Sequence, residues 1–101
     1  MSLAPWMVSS LSIWEISIKN ALGKLPLPSP AKHWWRRTIE VYSLEVVPFT
    51  AEQALRAGSL PLHHGDPFDR GIIAVAMDLD VALATIDPHF SAYTGNGLRL
   101  A

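Results

Sequence analysis

The stretch Asp66-Pro67-Phe68-Asp69, separated only by Arg70 and Gly71 from the longest unbroken apolar run in the chain, Ile72 to Met77, limits the fold more than any other segment. Asp66 suits an N-cap, Pro67 the first helical position, where its missing N–H costs nothing, and Asp69 the first turn, where a carboxylate complements the helix dipole. The spacing predicts a helix from Pro67 to about Leu79. Its apolar run is far shorter than the roughly 20 residues that cross a bilayer. What local geometry leaves open is whether Asp66 and Asp69 only start this helix or also hold something.

The neighbouring segments supply partners for that helix. Met7 and Val8 read as a strand end, after which Ser9 can cap a helix that stops at Gly23. Leu11, Trp14, Ile18, Ala21 and Leu22 form one apolar face of it, with Glu15 at the edge. A proline-broken loop precedes "AKHWWRRTIEVYS", in which Trp35, Ile39 and Tyr42 recur at helical spacing and Arg36 and Arg37 read as a solvated face. "LEVVPF" is β-branched and short, which predicts a buried strand, and Thr50 with Gln53 makes a capping pair for "AEQALRAGSL". "VALATI" reads as a strand ended by Asp87-Pro88, and "GLRL" as a last one. This order predicts an α/β domain whose short, largely parallel sheet is flanked by helices.

At 101 residues the chain forms one domain with one core. Residues 1–7 show no periodicity and read as an unstructured leader or an expression remnant, leaving 8–101 as the domain. There is no cysteine, which excludes a disulfide scaffold and a thiolate zinc site. A formal charge of −1 argues against a surface coated for non-specific nucleic-acid binding. Half the residues are hydrophobic, with four Trp; that is more apolar than a small free monomer needs, and some of the surface is expected to meet a partner or another copy. Nothing at the N-terminus resembles a secretory signal, so a soluble, cytoplasmic protein is expected.

Three acids stand at comparable places in the topology. Glu15 lies on the first turns of one helix, Asp69 on the first turn of another, and Asp87 directly after a strand. Strand carboxyl ends gather on one edge of a parallel sheet, and three carboxylates there suit a hard divalent cation. Each acid also has a plainer role. Glu15 can pair with Lys19 or close a capping box with Ser12, Asp66 can be a cap, and Asp87 can organise a turn. His63 and His64 are adjacent and diverge, so they do not form a zinc motif. "HWWRR" mixes aromatics and cations, but at helical spacing Trp35 reads as core. No glycine-rich phosphate loop or Ser/His/Asp arrangement is present.

The blocks "VSSLSIWEISIKNALGKLPLP", "LPLHHGDPFDRGIIAVAM" and "ALATIDPHFSAY", in this order, resemble the PIN-domain ribonuclease toxins of the VapC type, the toxic halves of VapBC toxin–antitoxin systems. The resemblance implies that Glu15, Asp69 and Asp87 are catalytic acids holding Mg²⁺ or Mn²⁺ for hydrolysis of RNA phosphodiesters, with Thr85, Asp66 and Arg70 in support. It also implies a VapB-type antitoxin as partner. These toxins open with an apolar strand ending in Asp, the middle strand of a 3-2-1-4-5 sheet, and no acid lies among Met1 to Met7. The expectation is therefore an N-terminally truncated PIN domain lacking the central strand and the first acid, weak or inactive as a ribonuclease. The alternative is a non-catalytic binding module for an antitoxin or another toxin subunit. Loss of a central strand would leave β-edges and apolar helix faces uncovered, so a homodimer or higher homo-oligomer is expected.

Overall fold

The computed structural model describes residues 2–3, 6–61, 65–84, 92–95 and 97–100. The elements run β1 (Ser2–Leu3), β2 (Met7–Ser9), α1 (Ser10–Ala21), α2 (Ala31–Val41), β3 (Glu45–Val47), α3 (Ala51–Ser59), α4 (Pro67–Leu79) and β4 (Leu83–Ala84). They form one open α/β sheet in the order β3-β2-β1-β4. β2 and β3 are parallel, with Met7, Val8 and Ser9 opposite Glu45, Val46 and Val47. β1 is antiparallel to both of its neighbours, pairing with β2 at Leu3–Met7 and with β4 at Ser2–Ala84 and Leu3–Leu83. β2, β3 and β4 thus share one direction and β1 alone opposes them. Beyond β4, Leu83 forms a parallel bridge with Leu100.

Two expectations change here. Residues 1–7 are not without regular structure, because Ser2–Leu3 pairs on both sides and Met7 begins β2. The slot between β2 and β4, expected to lack a strand, is filled over a short length by β1. Backbone pairing explains the change: strands flanking an empty slot would leave buried N–H and C=O groups unpaired at about 1–3 kcal/mol each. An extended segment only a few residues before β2 in the chain is the nearest donor and acceptor.

The helices begin and end where side chains can satisfy their termini. Ser9 caps α1 by accepting from the Leu11 amide at 3.1 Å, so Ser12 is not the cap. Gly23 after α1 has φ +72°, the left-handed conformation that glycine adopts without strain. Thr50 and Gln53 form the expected capping box of α3. Asp66 caps α4, accepting from the amides of Phe68 at 2.8 Å and Asp69 at 3.1 Å. Asp80 ends that helix in the left-handed region at φ 53°, which aspartate tolerates better than most residues.

α4 is the centre of the molecule: every residue from Arg70 to Ala76 is buried. With Leu11, Leu60, Leu83, Tyr93 and Leu98, its Ile72, Ile73, Val75 and Ala76 make the core. A helix buried on most of its circumference needs packing on several sides, and α1, α3 and the sheet supply it. α1 approaches so closely at Gly71 that an added Cβ would lie 2.2 Å from Leu11 Cδ2. Trp35 is buried as expected, and Arg36 and Arg37 are exposed.

Two other expectations are corrected. β3 lies at the edge of the sheet and Val46 is exposed, so its β-branched residues do not mark a strand buried on both faces. On α1, Trp14 and Leu22 of the expected apolar face are exposed, whereas Ser12 and Glu15 are buried. The helix turns Glu15 toward the N-terminus of α4, where the helix dipole favours a negative charge.

Candidate metal centre

α1 crosses the first turn of α4 with two consecutive residues facing two consecutive residues. Trp14 meets Phe68, with ring centroids 5.1 Å apart in an edge-to-face arrangement. One residue further along both helices, Glu15 meets Asp69, and Asp66 at the cap completes a group of three carboxylates. One oxygen from each of Glu15, Asp66 and Asp69 can be chosen so that all lie within 4.8 Å of one another. Glu15 is only 8% exposed, and the two aspartates are half-buried.

The three acids reach this point for different local reasons. Glu15 is held by its ion pair with Lys19 one helical turn on, at 2.8 Å. Asp66 is fixed by its cap bonds, both of which use Oδ1, so capping does not consume Oδ2. Asp69 sits at the third helical position, with its own amide donating to Asp66. The sequence question about Asp66 and Asp69 therefore has a joint answer. Both start the helix, and both stand in the acidic group.

The charges register on the neighbouring cation. The hydrogen bond to Glu15 is the main influence holding the Lys19 ammonium above the ordinary lysine pKa; burial works against it, and the charges of Glu15, Asp66 and Asp69 add to it. Lys19 thus senses all three carboxylates.

The donor set suits a hard divalent cation. Such ions take carboxylate oxygens, Mg²⁺ at about 2.0–2.1 Å and Ca²⁺ at about 2.3–2.6 Å, so opposite ligands lie about 4 to 5 Å apart. The observed limit of 4.8 Å falls within that span. With no sulfur ligand and no described histidine in the group, the chemistry favours oxygen-seeking ions over zinc.

Of the residues singled out in the sequence, the structure brings Glu15 and Asp69 together and adds Asp66. Asp87 and Thr85 lie outside the described residues, as do His63 and His64. Arg70 goes elsewhere. Its buried guanidinium donates to the carbonyls of Ala57 at 2.9 Å, Leu60 at 2.7 Å and Pro61 at 3.0 Å. It closes the end of α3 and the start of the following loop rather than facing the carboxylates. Tyr93, fully buried, donates from its hydroxyl to the same Pro61 carbonyl at 2.9 Å. Sequence reasoning missed Tyr93 as a structural partner because one tyrosine after a turn signal carries no periodicity.

The carboxylates Glu15, Asp66 and Asp69, where two helices cross beside an open α/β sheet, could hold a divalent cation. The family model described as PIN domain matches residues 1–96, and the chain belongs to that family. No curated protein matches the chain. Among the described residues, no helix is long and apolar enough to cross a membrane.

Proposed function

We propose that this PIN domain is a toxin component of the VapC type, a family that hydrolyses RNA phosphodiester bonds with Mg²⁺ or Mn²⁺, and that its own cleavage is weak. The observation that carries this reading is the convergence of Glu15, Asp66 and Asp69 within 4.8 Å at the N-terminus of a buried helix. A divalent ion held there would supply an activated water and charge stabilisation at the phosphate. Glu15 and Asp69 are the ligands proposed from both the resemblance and the geometry, and Asp87 is proposed as a further ligand from the resemblance. Asp66 contributes an oxygen while fixing the turn that carries Asp69. Lys19 holds Glu15 in place and offsets part of the mutual repulsion of three carboxylates. A VapB-type antitoxin and self-association belong to the same proposal, supported by exposed Trp6, Val41, Tyr42 and Leu55.

The test is cleavage of a mixed single-stranded RNA pool with Mg²⁺ or Mn²⁺, comparing the chain with a Glu15→Gln, Asp69→Asn variant. Weak metal-dependent cleavage that vanishes in the folded variant is the expected result. Cleavage that persists unchanged in the variant would refute the assignment. Metal binding without any cleavage would favour the non-catalytic binding module.

A further inference from the structure

Beside the carboxylates lies a cavity of about 290 Å³ lined by Leu11, Trp14, Phe49, Pro67 and Phe68. Every lining side chain is apolar and three are aromatic. Trp14 is 58% exposed although it packs edge-on against Phe68, so much of its indole surface meets solvent. An exposed indole at a cavity mouth costs solvation free energy unless something covers it.

We propose that this cavity seats a nucleobase of single-stranded RNA, stacked on Trp14, while the adjoining phosphate lies at the carboxylate group. This rests on the metal-dependent reading above and adds to it a base subsite. Three features favour a base over a protein segment. The cavity and the carboxylates share one helix crossing: Trp14 and Phe68 each adjoin a metal-site residue in sequence, and neighbouring Cα atoms are about 3.8 Å apart. Base and phosphate of one nucleotide can reach both. The cavity is also at the small end for ligand sites, room for one ring system, whereas an amphipathic helix needs several anchors along a groove. And an aromatic wall with no hydrogen-bonding group binds a π-face without choosing among bases, which predicts a preference for unpaired strands over a particular sequence.

The experiment uses a fluorescent 2′-O-methyl RNA hexamer, which resists cleavage, and the same hexamer with one abasic position, both measured by anisotropy with Mn²⁺. Mn²⁺ binding is followed separately by the spectrum of the free ion. Trp14→Ala is expected to weaken the intact hexamer by roughly 5- to 150-fold, the span of base–aromatic stacking. The same change should leave the abasic hexamer and Mn²⁺ affinity unaltered, and Trp14→Phe should retain most of the binding. Trp14→Leu, apolar but not aromatic, serves where Trp14→Ala does not fold, with the same loss expected. If Mn²⁺ binds and Trp14→Ala or Trp14→Leu weakens neither hexamer, or both equally, the base subsite is wrong and the metal reading stands. If the intact and abasic hexamers bind wild type alike, the cavity belongs to a protein side chain. If Mn²⁺ does not bind the wild type, both readings fall.

Discussion

Asp66 performs two tasks that substitution can separate. Asparagine keeps a side-chain carbonyl for the amides of Phe68 and Asp69, now held at 2.8 and 3.1 Å, but removes the charge. Alanine removes both. Asparagine and aspartate are near-equal caps, while loss of a cap costs about 0.5–2 kcal/mol, typically about 1. Without metal, Asp66→Asn should therefore lie within about 0.5 kcal/mol of wild type, since the lost dipole interaction is offset by relief of repulsion with Glu15 and Asp69. Asp66→Ala should be about 1 kcal/mol less stable. With Mn²⁺ at about a hundred times its dissociation constant, the wild type gains about 2.7 kcal/mol. For a domain of this size that is roughly 10–20 °C in Tm. Both variants should lose most of that gain. The assay is urea unfolding of the three proteins with and without Mn²⁺. An Asp66→Asn protein stabilised by Mn²⁺ as fully as wild type would refute the reasoning and leave Asp66 a cap alone.

Other perturbations follow from the same geometry. Arg70→Met removes the guanidinium donor of the Ala57 and Leu60 carbonyls, while Pro61 keeps the Tyr93 hydroxyl, at about 1–3 kcal/mol for each carbonyl left buried; urea unfolding should show a loss of roughly 2–5 kcal/mol with no direct effect on Mn²⁺ affinity in the folded fraction. Leu3→Pro removes an N–H from β1, which has a strand on each side, and interior strands exclude proline; thermal melts should show clear destabilisation, and an unchanged Tm would argue against β1 in the slot. Because the Lys19 pKa is raised on folding by its bond to Glu15, its contribution is complete below the unfolded lysine value of about 10.4 and is lost as pH rises through the folded one. Lys19 is largely solvated, so the effect is small; urea midpoints between pH 9 and 11.5 should fall more for wild type than for Lys19→Met.

The parts of the fold legible in the sequence are those fixed by local chemistry. The cap at Asp66 with Pro67 behind it, the Thr50–Gln53 box, the glycine after α1 and the buried run of α4 all depend on residues within a turn of one another. The parts that were not legible depend on what lies across the fold. Val46 is β-branched whether its strand is central or at an edge, and its exposure follows from the absence of a described strand beyond β3. The strand at Ser2–Leu3 has no pattern of its own and is defined only by the backbone of β2 and β4. Glu15 with Lys19 was readable as a helix pair, and the structure retains that pair. The meeting of Glu15 with Asp69 was expected from the topology and the resemblance, but the place of Asp66 in the group was not, because it depends on how α1 crosses α4 at the close approach of Gly71. The plain role and the ligand role are thus compatible, since capping engages one oxygen of Asp66 and leaves the carboxylate facing its neighbours.

The central claim is that Glu15, Asp66 and Asp69 make one divalent-cation site. Titration of the protein with Mn²⁺, following the free ion by electron paramagnetic resonance, tests it most directly. The account predicts saturable binding of one ion per chain, weakened at least tenfold in a folded Asp69→Asn variant and competed by Mg²⁺. Absence of saturable binding, or binding that Asp69→Asn leaves unchanged, would contradict it.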